Sequence, residues 1–365
     1  MSIKNYVPIL RPKQGEVWAI RDLSEVAQER ITPFFDVHRV QIVNGKKEKS
    51  LEQHLESIIR RICKDWPTNR EFFWDMYSID LSERLPDGTH PVLRFGEILF
   101  SYKMTFIPTI GTDRDESYIE AIKELLSKGT ADEICVRILD DDLETPIEAI
   151  GDISQILKKL KVPLSRCHLL IDIKTVKESN IEEIVDTISE FTSECDISHW
   201  KTFTFSSGSF PVDMSGFAPD SVSRVPRVEV KLWKALLNAE LLIGRKPNFS
   251  DYAILNPERV EIDPTRIRAG GKIRYATEDD WIIAKGYGLH RGEKYNQYRK
   301  LSRKIIGIPE YRGKGYSWGD DYLDKCSKGK VGTGGLPMWV RVDTNHHLTL
   351  VGEQISTLYD SSGKG

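Results

Sequence analysis

Several charged residues of this chain sit inside, or at the end of, short apolar runs, and these are the positions where chemistry could be done. Arg11 and Lys13 follow Tyr6-Val-Pro-Ile-Leu10. Asp36 and His38 close the run Thr32–Val37, two apart and so on one strand face. Asp75 lies within Phe72–Tyr77 and Arg137 within Ile134–Leu139. Asp172 lies within His168–Ile173, two residues before Lys174, and Ser206 and Ser209 follow Thr202–Phe205. A charge in a buried strand is costly unless paired, so Arg137 is expected to pair with Asp172 or Asp75. Such a polar cup would use cations to hold an anion and carboxylates for acid/base work or Mg²⁺. The same residues could instead form a salt-bridged plug that keeps the strands in register. Glu16, after Lys13-Gln14-Gly15, reads as a general base or as a first-turn helix acid.

The elements that must position these residues alternate. Eight apolar runs recur, the eighth at Tyr252–Leu255, and segments of helical period lie between nearly all of them. Leu51, Leu55, Ile58, Ile59 and Ile62, for example, share one helix face. Parallel strands joined by crossover helices give this pattern, and a count of eight predicts an α/β fold of the (β/α)8 TIM-barrel type. An open doubly wound sheet is the rival reading. Barrel chemistry gathers at the C-terminal strand ends, where the polar residues above fall. The barrel is expected over 1–258. A β-hairpin and helical addition packed on it is expected over 259–358, and a disordered tail over 359–365. In the addition, Lys272–Thr277 and Trp281–Lys285 read as two antiparallel strands, Glu293–Ile306 as a basic helix, and Trp339–Val351 as the end of a helix-to-strand passage.

With 365 residues, 39% hydrophobic and 29% charged, the chain can build a large core. A net charge of −3 gives no global pull toward nucleic acid. Cys63, Cys135, Cys167, Cys195 and Cys326 form no CxxC pair or metal spacing, which predicts free thiols and a cytoplasmic compartment. No run is long enough for a membrane span, and no apolar signal core opens the chain.

The C-terminal region is locally basic. Arg266, Arg268, Lys272, Arg274, Arg291, Lys294, Arg299, Lys300, Arg303 and Lys304 interleave with Tyr275, Trp281, Tyr287, Tyr295 and Tyr298. That mixture suits phosphate contact and base stacking, or a solvated amphipathic helix. The glycines at 313–315 and 329–335 match no phosphate-loop fingerprint. His346 and His347, read as strand residues, would point to opposite faces, so no metal site is predicted.

Read together, Asp36, Asp75, Asp172 and His347 are the candidate catalytic residues, His347 closing the site from the C-terminal segment. Arg11, Lys13, Glu16, Arg137, Lys174, Ser209, Arg274 and Tyr275 are the candidate ligand-binding residues. No cofactor is named by the sequence.

Several landmarks also resemble a known family. Lys13-x-Gly15-Glu16-x-x-Ala19-Ile20 and Pro33-Phe34-Phe35-Asp36 resemble the opening of the beta family of phage and prophage proteins. Ser209-Phe210-Pro211, Ile273-Arg274-Tyr275, Trp281 with Lys285-Gly286, Gly319-Asp320, and Trp339 with Asn345-His346-His347-Leu348 are similar to its later landmarks, in order. Ile20 stands where leucine is usual and Asp36 where glutamate is usual. The resemblance implies a setting of satellite phages, prophages and antiviral defence cassettes, and supplies no catalytic residues. Three functions remain open at this point. One is an enzyme whose barrel-mouth site takes an anionic, phosphorylated or nucleotide-like small molecule. Another is a sensor or neutralising partner of a toxic protein from the same cassette. The third is a nucleic-acid binder using the basic region 266–304.

Overall fold

The computed structural model describes residues 3–258, 263, 269–290 and 292–361. Eight parallel strands follow one another around a single sheet in chain order. They are Ile9–Leu10, Phe34–Asp36, Phe72–Asp75, Phe106–Ile110, Ile134–Leu139, Cys167–Thr175, Thr202–Gly208 and Asn248–Ser250. The sheet closes between its first and last strands. Tyr6 bridges Phe249 in parallel, Val7 N–H donates to Phe249 O at 2.8 Å, and Ile9 N–H donates to Asp251 O at 2.8 Å. Closure leaves no open edge, and the expected (β/α)8 barrel is what forms.

Strand alternation sorts the side chains. Val7, Ile9, Phe34, Phe73, Ile107, Cys135, Leu170 and Tyr252 face inward and form a compact cluster in the lumen. Their neighbours Tyr6, Leu10, Phe35, Phe72, Val136, Leu169, Ile171, Phe203 and Phe249 face outward and pack under the helices. The same period sends Asp36, Asp75, Arg137, Asp172 and Ser206 into the lumen above the apolar layer. Register places Asp36 opposite Asp75, and Ser206 opposite both Asp172 and Ser250.

Strand eight lies earlier than expected. Asn248–Ser250 forms it, while Tyr252–Leu255 turns away beyond its end. Asn248 and Ser250 are inward polar residues, so the true strand lacks an apolar signature. The apolar run downstream is buried for another reason: Ile254 packs with Phe210, Ala276, Trp281, Ile283 and Leu350.

The added region is a three-stranded antiparallel sheet rather than a hairpin alone. Asp280–Gly288 is central, Gly270–Ala276 pairs on one side, and Ser221–Pro226 pairs on the other. This third strand comes from the segment after barrel strand seven, which reads as loop because its residues alternate only between half-buried and exposed. The basic helix spans Gln297–Ile306.

The largest correction concerns the chain's last stretch. Leu336–Ser361 is one helix of 26 residues, not a passage into a strand. It carries Trp339 and Val342 into the core of the added region, and Leu348, Val351 and Ile355 into the core under the barrel helices. A helix buried on several sides has no single apolar stripe, so its period is hidden. It lies close against the first helix, Gln14–Arg21. A Cβ added to Gly15 would stand 2.7 Å from Pro337 O and from the Val340 side chain.

Candidate functional site

Arg137 is the centre of the barrel mouth. Its Nη1 donates to Asp75 Oδ2 at 2.9 Å, and its Nε and Nη2 donate to Asp172 Oδ2 at 3.0 and 2.6 Å. Tyr252 Oη lies 3.2 Å from Nη2 and donates to the same Asp172 oxygen. Arg114, which the sequence reading passed over, donates from Nη2 to both Asp75 oxygens at 2.9 and 3.0 Å. It follows strand four in a polar loop, Gly111-Thr-Asp-Arg114, where only the fold shows that it turns inward. All of these side chains are buried.

Charge and burial compete here. Burial alone would raise the Asp75 carboxyl, but Arg114 and Arg137 beside it hold it below its usual range. Asp36 has no such ion-pair partner among the described residues. Burial raises its pKa, Arg137 and Arg11 oppose the rise, and Asp75 and Asp172 add to it. Its Oδ1 is buried without a hydrogen-bond partner. Ser206 Oγ, Ser250 Oγ and Thr109 Oγ1 are also buried and unpartnered, on strands seven, eight and four. The upper lumen thus combines a buried ion-pair network with polar atoms, Arg114 Nε among them, whose hydrogen-bonding capacity is unused.

Two features mark the rim. Lys174, at the end of strand six, adopts a left-handed backbone with φ 58°, and its N–H donates to Asp172 Oδ1 at 3.0 Å. Its half-buried ammonium lies 3.4 Å from Asp140. Arg11 and Lys13, both half-buried, stand at the end of strand one beside Glu16. Burial pushes Glu16 up to about 7 against the opposing charges of Lys13, Arg11 and Arg274. Arg274 gives Nε to Asp343 Oδ2 at 2.7 Å and Nη1 to Ile254 O at 3.3 Å. Burial raises Asp343 to about 6, with Arg274 again opposing. Arg11 and Lys13 therefore stand between the lumen network and a second buried cluster of Glu16, Arg274 and Asp343.

Three candidates lie elsewhere. His347 is on the last helix, outside the lumen; its Nε2 pairs with Asp251 Oδ2 at 2.8 Å and its ring stacks on Trp281 at 4.8 Å. Successive helical residues diverge by about 100°, so His346 points into the added region, to Asp320 and Ala276 O. Tyr275 stacks on His346 at 3.8 Å and donates to Asp320 Oδ1 at 2.9 Å. Ser209 bonds Glu229 and accepts from Val228 N–H at 3.1 Å, tying down the start of the helix Val228–Asn238. His38 packs edge-on against His54, and burial holds its pKa well below the ordinary value.

The basic region is largely engaged by its own chain. Lys300 and Lys304 both pair with Asp220, and Arg303 Nε donates to Ser327 O at 3.1 Å. Tyr275, Trp281 and Tyr298 are buried, so they present no face to a base. Arg266, Arg268 and Arg291 lie outside the described residues. Among the described residues, no group of three or more His, Cys, Asp or Glu could hold a metal ion, and no helix is long and apolar enough to cross a membrane.

The family model described as Beta protein matches residues 6–353 of this chain. No curated protein matches it. Among solved structures, it is similar to an enolase protein from the environmental genome shotgun sequencing of the Sargasso Sea. Identity is 12% and the TM-score 0.33, and the match covers 84% of this chain and 66% of that one, just under two thirds of its length.

Proposed function

The chain belongs to the Beta protein family, and we propose that it works in phage–host conflict as a receptor whose barrel mouth takes an anionic, phosphorylated or nucleotide-like ligand. One observation carries the ligand reading. Asp36 is a buried carboxyl with an unpartnered oxygen, its pKa raised by burial, beside an arginine already neutralised by two carboxylates. A protonated carboxyl donates a hydrogen bond, and among the described residues Asp36 Oδ1 has no partner. An anionic oxygen entering from the rim would satisfy Asp36 and meet Lys174 on the way. Arg137 would act as a fixed floor, since its partners hold its guanidinium in place. The phage setting rests on the likeness of the sequence landmarks to phage and prophage proteins.

Calorimetric titration of the full chain with AMP tests the ligand reading. Binding in the wild type, weakened at least about tenfold by Asp36→Ala and by Lys174→Ala, is the expected result. No heat of binding at millimolar AMP, ribose 5-phosphate and inorganic phosphate would sink it. Phage plating on cells that carry the wild type or Asp172→Asn, with soluble protein levels matched, tests the setting. Equal plating on wild-type and empty-vector cells would remove it.

The filled lumen supports a second reading, a neutralising partner of a toxic protein. Arg137, Asp75 and Asp172 would then be purely structural. Co-purification of a co-expressed cassette protein, unchanged by Asp36→Ala, would favour it over the ligand reading.

A further inference from the structure

Tyr77 is the exposed aromatic at the barrel mouth. Strand three ends at Asp75, Met76 packs under the barrel helices, and Tyr77 follows with 39% of its surface open. Three cations stand close to its ring. Arg114 Cζ is 5.2 Å from the ring centroid, Arg137 Cζ 5.4 Å and Lys174 Nζ 5.8 Å. The two arginines are buried beneath it in the lumen network, so the inner side of the ring is committed to them. The other exposed large aromatics among the described residues are Phe100, Tyr102 and Tyr287, near the far end of a barrel helix and on the added sheet.

Cations against one side of a ring draw its electron density inward. The open side is then a poor seat for a further cation and a good one for an electron-rich planar ring, which stacks with its own charge distribution offset. Lys174 stands beside the same ring with its ammonium half-buried, its backbone held in the left-handed region by the Asp172 contact. A stacking surface and an ammonium that share one rim fit a molecule that carries a planar ring and an anion a short linker apart.

We infer that Tyr77 is a stacking platform for a nucleobase, and that the mouth ligand is a nucleotide rather than a bare phosphate or sugar phosphate. This inference rests on the anion-binding reading above and adds the base to it. The phosphate meets Lys174 and Asp36, and the base lies on the outer face of Tyr77. Stacking tolerates every base, so discrimination among bases is expected to be weak.

The test compares AMP, CMP and ribose 5-phosphate by calorimetry on the full chain, in the wild type and in Tyr77→Leu and Tyr77→Trp. AMP and CMP should bind at least roughly fivefold more tightly than ribose 5-phosphate in the wild type. Tyr77→Leu should bring the three ligands to equal affinity, with ribose 5-phosphate unchanged. Tyr77→Trp should keep the preference, and it provides the readout if the leucine variant does not fold. Equal binding of AMP and ribose 5-phosphate in the wild type would overturn the inference and leave the anion site standing. A preference that survives Tyr77→Leu would also overturn it. Absence of binding by all three would remove the anion site and the inference together.

Discussion

Arg137 gives two nitrogens, Nε and Nη2, to a single oxygen of Asp172 on the neighbouring strand, at 3.0 and 2.6 Å. The other Asp172 oxygen holds the Lys174 backbone. One carboxylate therefore fixes both the floor of the mouth and the conformation of its rim.

Arg137→Gln leaves Asp172 buried without its cation and removes one of the two from Asp75. Breaking a buried pair from one side costs about 3–5 kcal/mol. Urea denaturation should show a loss of that size, larger than for Asp172→Asn, which removes a charge and keeps the shape. A loss below about 1 kcal/mol for Arg137→Gln would mean that water already screens the lumen.

Glu16 predicts a pH-dependent stability. Its folded pKa is raised to about 7, so the folded state holds a proton that the unfolded chain releases near its ordinary value. Stability should therefore fall as pH rises from about 4.5 to about 7, by up to about 3 kcal/mol from this group. Glu16→Gln should flatten that slope and be the more stable protein above neutrality. Parallel slopes for the two proteins would refute the assignment.

Asp36 predicts a pH-dependent affinity. The donor is present while the carboxyl is protonated and is lost as pH rises through its raised pKa. Asp36→Asn offers an amide donor at every pH. The ratio of AMP affinities, wild type over Asp36→Asn, should fall as pH rises, and taking the ratio cancels the ligand's own ionisation. A constant ratio from acid to neutral pH would contradict the role given to Asp36.

Lys174→Gly should separate stability from binding. Left-handed backbone costs a side-chain-bearing residue about 1–2 kcal/mol, and glycine removes that strain at some cost in chain entropy. The variant should be roughly 0.5–1 kcal/mol more stable by thermal or urea melting, yet bind AMP more weakly. A destabilised variant would show that the exposed Asp140 contact outweighs the strain.

Sequence period was enough to reveal the barrel, because seven of its strands carry contiguous inward and outward apolar residues. It was enough for Arg137, Asp75 and Asp172, because a charge inside such a strand must find a partner in the lumen. It failed at strand eight, where Asn248 and Ser250 hide the pattern, and at the last helix, whose burial on several sides erases its stripe. Arg114 was illegible because loop residues carry no period. His347 was misplaced for the same reason as its helix: read as a strand residue, it was expected to close the site, and the fold sends it to Asp251 outside the lumen.

The last helix reaches across nearly the whole sequence: Asn345 Nδ2 donates to Ala19 O at 3.0 Å, and Leu348, Val351 and Ile355 complete a core begun by the first barrel strands. During synthesis, the wall beside strand one stays uncovered until the helix that carries Leu348, Val351 and Ile355 has left the ribosome. A chain shortened before that point is expected to leave this apolar flank exposed.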